Sequence, residues 1–173
     1  MSFSIVLCLS FYVWCVLQII AGFHGNEAVT TEVALNFVQL LLSHHEYDDD
    51  ISRIMKGYSI HILPALNRDG YGLNKAGECQ SKAGALNQAG IDLELDFQKT
   101  GQNSQPETQR IINWMDQQKF LFSLDLRGSD ENILIPMVNQ SQPLKRKLVQ
   151  DIVNQYWSRL RSDINPIGHW VFH

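Results

Sequence analysis

His24 and Glu27 stand three residues apart in "AGFHGNEAV", directly after an apolar run. A neutral imidazole and a carboxylate converging from a strand-to-helix corner supply two of the donors that a zinc ion needs. The same pair also reads without a metal, with Glu27 as a helix-start charge and His24 as its polar neighbour. Asp125, in "LDLRGS", is a carboxylate at a strand end, where a metal contact is chemically sound. His61 sits within a β-branched run and reads as structural, His44 and His45 as a solvated helix end, and His169 and His173 have no position that sequence can fix. Cys8, Cys15 and Cys79 form no CxxC or other metal spacing; Cys79 is expected to pair with a cysteine outside this chain or to remain a free thiol.

The elements that must position these groups follow from periodicity. "VLQIIAG" is a continuous apolar run, the pattern of a strand covered on both faces of a parallel sheet. After Glu27, Val29, Val33, Phe37, Leu40 and Leu41 recur at helical spacing, so the strand hands over to a helix at the HxxE stretch. "YSIHILPAL" predicts a second buried strand, stopped by Pro64 and the turn residues Asn67, Asp69 and Gly70. Residues 70–90 carry five glycines and few large apolar side chains, which predicts a long surface loop of the kind that carries function. In "SQPETQRIINWMDQQ", Ser104 or Gln105 can cap a helix, Pro106 suits its first turn, and Ile111, Ile112 and Met115 form its stripe. "FLFSLDLRGS" and "NILIP" predict strands, and Leu144, Leu148, Ile152, Val153, Tyr156, Trp157 and Leu160 a closing amphipathic helix. Alternation of strands and helices argues for one α/β domain with a mixed, largely parallel sheet and flanking helices.

The composition excludes some partners. With 45% hydrophobic and 18% charged residues the 173-residue chain can bury a core, and 14 Lys plus Arg against 18 Asp plus Glu give a net charge of -4. No basic run follows a phosphate backbone, so nucleic acid is not the expected partner. The first 23 residues hold no charged side chain. Residues 1–15 are expected to be an apolar, signal-like or anchor segment, or alternatively a strand, and residues 16–173 the domain proper; membrane association and the secretory pathway follow from the first reading. The sequon at Asn139 suits a secreted chain.

"HGNEAV", "ILPALNRDGYG", "GIDLELDF" and "SQPET", in that order and spacing, resemble the zinc metallocarboxypeptidases of the N/E type, most of all the degenerate third repeat of carboxypeptidase D. The resemblance spans roughly residues 16–138 and implies a metallocarboxypeptidase-like fold truncated to about the first half of the family's domain. It implies a zinc cofactor, peptide or protein carboxyl termini as partners, and removal of single carboxy-terminal residues as the activity. His24 and Glu27 take the first two ligand positions. The third falls on Arg127, a permanent cation with no lone pair to donate. The substrate-carboxylate positions fall on Ala85, Glu94 and Leu95 where the family pattern carries Arg, Asn and Arg, and the family's general-base Glu has no counterpart before the chain stops.

Weak or absent zinc binding and a catalytically impaired protein, still able to hold peptides or proteins, are therefore expected, with no catalytic residue assigned. The alternatives are an active zinc carboxypeptidase with an unexpected third ligand, and an incomplete product without function. Arg127 is expected to pair with Glu27 and fill the metal position. Glu94 reads either as an ordinary surface charge or as a group that would favour an amine over a carboxylate.

Overall fold

The structure, a computed structural model, describes residues 5–7, 15–73, 83–97, 104–128 and 134–135, and from 147 onward only 147, 151–152, 154–155, 158 and 171–172. The chain divides into two compact units, Met1–Gly128 and Ser129–His173. In the first, β1 (Ile5–Leu7), β2 (Cys15–Ala21), α1 (Ala28–His44), α2 (Asp49–Gly57), β3 (Tyr58–Leu63), α3 (Arg68–Leu73), α4 (Leu93–Phe97), α5 (Pro106–Gln118) and β4 (Phe122–Leu126) follow in order. The sheet order is β1-β3-β2-β4; β2 runs parallel to β3 and β4, and β1 pairs antiparallel with β3. This is the mixed, largely parallel sheet with flanking helices that the sequence predicts. In the second unit, β5 (Leu134–Ile135) and β6 (Val171–Phe172) form a parallel pair. Of the closing helix, Lys147, Asp151, Ile152, Asn154, Gln155 and Ser158 are helical, and the rest of its expected stripe lies outside the described residues, as do Cys79, Asn139 and His169.

β2 is apolar except for the buried Gln18 because both of its faces are covered. Leu17, Ile19 and Ala21 join Ala34, Val38 and Leu41 of α1, while Ile20 packs with Phe23, Leu66, Leu93 and Ile111 on the other face. The face of α1 is rotated from expectation. Thr30, Thr31, Ala34, Val38 and Leu41 are buried, Phe37 is half-buried, and Val29, Val33 and Leu40 are 59%, 50% and 43% exposed. Thr30 is the cause: its hydroxyl accepts from Gly22 N–H at 3.1 Å and donates to the Glu27 carbonyl at 2.8 Å, drawing a polar residue onto the sheet.

Two short helices form that the sequence does not predict, the first where a turn is expected. Asn67 Oδ1 accepts from Gly70 N–H at 2.9 Å and opens α3, and Asp92 Oδ1 accepts from Glu94 N–H at 2.9 Å and opens α4. Of the expected 70–90 loop, residues 74–82 lie outside the described residues, and 83–90 form turns tied by Asn87, whose Oδ1 accepts from Ala89 and Ile91. At α5, Pro106 occupies the first turn and Gln105 is the N-cap residue without a side-chain cap; its N–H donates to Asp96 Oδ2 at 2.6 Å.

His61 is buried at 5% exposure, beside Ser59 Oγ at 3.2 Å and against the rings of Trp114 and Phe120 at 5.8 and 5.2 Å. Burial pushes its pKa below the ordinary value. The unfolded chain takes up the proton below about pH 6.5 while the folded chain resists it, so stability falls as pH drops through this window. His61→Leu is expected to flatten that acid-side loss; urea midpoints between about pH 7.5 and about pH 5 check it.

Candidate functional site

The site lies where β2 and β4 end, the edge at which open α/β sheets place their ligands. Its floor is a crossing of three backbone segments. A Cβ on Gly25 would overlap the Gly70 carbonyl carbon and Tyr71 nitrogen, one on Gly70 the Gly84 oxygen, and one on Gly84 the Gly70 oxygen. Gly84 also holds φ +80°. Asn67, 1% exposed, ties the crossing by donating from Nδ2 to the Ala85 carbonyl at 3.1 Å, and Leu66 and Asn67 N–H donate to the Ala21 and Gly22 carbonyls at 3.0 and 2.8 Å. The "HGNE" loop is thereby fixed against the end of β2.

His24 and Glu27 meet, with Nδ1 3.2 Å from Oε1. On the other side of the ring, Nε2 lies 3.1 Å from Asp92 Oδ1 and 3.9 Å from Glu94 Oε2. Arg127, just past β4, enters the same space: Nη2 is 2.5 Å from Glu94 Oε2 and 3.3 Å from His24 Nδ1, Nε is 3.8 Å from Glu27 Oε2, and Nη1 is 3.4 Å from Asp125 Oδ2. Its guanidinium carbon sits 5.4 Å over the Phe23 ring. Gly128 packs directly behind Glu27.

The electrostatics follow from this arrangement. Burial works against the Arg127 charge, but Asp125, Glu27 and Glu94 outweigh it and raise its pKa, so the guanidinium stays protonated. Asp125 is pushed up to about 6, by burial first, with Arg127 pulling down and Glu27 and Glu94 pushing up. Burial raises Asp92, and the bonds from His24 and from the Glu94 N–H more than reverse this, leaving it below its ordinary value. His24 Nδ1 faces an acceptor in Glu27 and a donor in Arg127 and can serve only one at a time. With the proton on Nε2 for Asp92, Nδ1 accepts from Arg127.

The expected Arg127–Glu27 pair forms as a 3.8 Å ion pair, and the tighter partner of Arg127 is Glu94. Glu94, 50% exposed, is thus not an unengaged surface carboxylate. Ala85 is half-buried and contributes its carbonyl to Asn67, and Leu95 is 58% exposed. Sequence reasoning missed Asp92 as a partner of His24. The available signal was its place two residues before Glu94 in the motif that also aligned Glu94 and Leu95.

The zinc carboxypeptidase family model matches residues 16–165. Carboxypeptidase D of Drosophila melanogaster is 34% identical over 122 residues, 63% of this chain and 9% of the relative, and carboxypeptidase M of Mus musculus is 30% identical over 140 residues, 76% of this chain and 32% of the relative. The chain thus spans no more than about a third of the length of these curated relatives. The crystal structure of thrombin activatable fibrinolysis inhibitor superposes with a TM-score of 0.73 at 14% identity, covering 94% of this chain and 48% of that one, a likeness of fold.

Proposed function

This chain belongs to the zinc carboxypeptidase family, and on that premise we propose that it is a catalytically impaired member that holds peptide or protein carboxy-terminal segments without cleaving them. The observation that carries this reading is the seat of Arg127. Zinc in this family's chemistry needs three protein donors and an open position for water or substrate. His24 and Glu27 offer two donors, but the group that closes on them is a guanidinium, 3.3 Å from His24 Nδ1 and 3.8 Å from Glu27 Oε2. It has no lone pair to give and carries the charge of a competitor. A dication about 4 Å from it would be repelled by roughly 8 kcal/mol at an effective dielectric of about 20. The residues present therefore do not fit the metal.

The substrate side supports the same reading. Glu94 and Leu95 stand where the family resemblance expects carboxylate-binding side chains, and Glu94 engages the cation Arg127. The reading leaves nucleic acid out, since the chain carries net negative charge. It places the protein in the secretory pathway or at a membrane, from the apolar residues 1–15. Among the described residues no helix is long and apolar enough to cross a bilayer.

The test is turnover. The purified chain, incubated with excess zinc and peptides ending in free basic or apolar residues, is expected to release no carboxy-terminal amino acid above the rate of a His24→Ala control. Release that depends on His24 would contradict the proposal and establish the active alternative.

A further inference from the structure

We infer that His61 is the pin of an acid-sensitive latch, and that its protonation releases the end of α5 and the turn that leads into β4. The latch is a group of three rings in mutual contact. His61 lies 5.8 Å from Trp114 of α5 and 5.2 Å from Phe120, and these two lie 5.1 Å from each other. The imidazole thus joins β3 to both sides of the turn. Lys119 makes that turn at φ 49°, a left-handed conformation that side-chain-bearing residues rarely adopt and that neighbouring contacts must hold. Leu121 N–H then donates to the Val16 carbonyl at 2.8 Å and sets β4 beside β2. The far end of β4 leads to Asp125 and Arg127 in the candidate site.

The surroundings of the ring suit only its neutral form. His61 is 5% exposed, its Nε2 lies 3.2 Å from Ser59 Oγ, and its Nδ1 is buried without a hydrogen-bond partner. β2 sets the fully buried Gln18 in register with it, and β1 sets Val6. Gln18 Oε1 already accepts from Ser123 of β4, and Gln18 Nε2 is itself a buried donor without a partner. A proton on His61 Nδ1 would add another unmet donor, and a charge. Among the described residues no carboxylate bonds to the ring. Arg110 and Asp116 of α5 and Lys119 are exposed, Glu107 faces Asn87, and Asp96 of α4 accepts from the Gln105 N–H. Asp125, on the same face of the sheet, interacts with Arg127, Glu27 and Glu94. Burial alone holds the ring below its ordinary pKa. Trp114 is half-buried, so the group yields on its side, where opening hydrates the imidazole without parting β2 from β3.

Hydrogen exchange on the whole chain at about pH 7.5 and about pH 5, read by mass spectrometry and corrected for intrinsic rates, tests the latch. A released imidazole regains its ordinary pKa of about 6.5, so the open population should rise by up to about 30-fold between these values. The amides of residues 112–121 are expected to lose protection roughly tenfold or more, and those of α1 to keep theirs. His61→Phe, which keeps a ring against Trp114 and Phe120 but takes no proton, should leave 112–121 equally protected at both pH values. An equal loss in α1 would mean that acid unfolds the chain as a whole, and no loss would mean that the two rings hold the imidazolium in place. Either result overturns the latch, as does a loss that persists in His61→Phe. Should His61→Phe not fold, nuclear magnetic resonance of the wild-type chain decides: the His61 ring and the Trp114 indole N–H are expected to titrate with one midpoint, and separate midpoints overturn the proposal.

Discussion

Gly70→Val is expected to destabilise the fold by about 3 kcal/mol, roughly 10 °C in Tm for a chain of this size. The cause is steric and local. A Cβ at Gly70 would overlap the Gly84 carbonyl oxygen and the Asn67 side chain, and the first of these is backbone, unable to rotate away. Relief requires the 83–85 turn to lift from α3, which breaks the Asn67 bond to the Ala85 carbonyl and the Asn67 cap on Gly70. Gly25 also abuts the Gly70 backbone, so the same movement disturbs the loop that carries His24. Thermal unfolding checks the magnitude. A loss as small as that of a surface substitution, below about 0.5 kcal/mol, would mean that the three segments do not cross in contact.

Arg127→Gln is expected to cost about 1–2 kcal/mol at neutral pH, between the values for exposed and buried ion pairs because Arg127 is 22% exposed and Glu94 and Asp125 are 50% and 41% exposed. The loss should depend on pH in a definite direction. Asp125 has its folded pKa raised to about 6, so between about 4 and about 6 the folded chain keeps a proton that the unfolded chain has released. Its contribution to stability is therefore present at low pH and lost as pH rises through about 6. Removing Arg127 takes away the charge that lowers Asp125, moving the loss to higher pH, and in acid the neutral carboxyl no longer needs the cation. Urea midpoints should show the variant closest to wild type near pH 5 and furthest near about pH 7.5. A gap that is constant across this range would show that Arg127 acts through packing on Phe23 and not through charge.

Much of the framework was legible because it is written in local periods. β2, β3, β4 and α5 follow from apolar runs and the Pro106 start, and the strand-to-helix corner at His24 and Glu27 follows from the change of period. What was not legible depends on side chains acting at a distance. α3 and α4 arise because Asn67 and Asp92 cap them, whereas the sequence reads Asn67 as a turn residue and predicts no element at Asp92. The buried face of α1 is turned by one threonine bonding to Gly22. The ion pair that decides the site joins Glu94 and Arg127, residues 33 apart in sequence, and no periodic pattern brings them together. Each was visible only as a separate departure from the family pattern, a carboxylate where a carboxylate-binding group is expected and a cation where a metal ligand is expected. Their opposite signs were the one hint that they form a single interaction.

The measurement that bears most directly on the account is the zinc content of the folded wild-type chain after dialysis against trace zinc at neutral pH. The account predicts substoichiometric zinc that His24→Ala leaves unchanged, because the guanidinium occupies the space between His24, Glu27 and Glu94. One tightly held zinc per chain, lost on His24→Ala, would contradict it and return the chain to the working enzymes of its family.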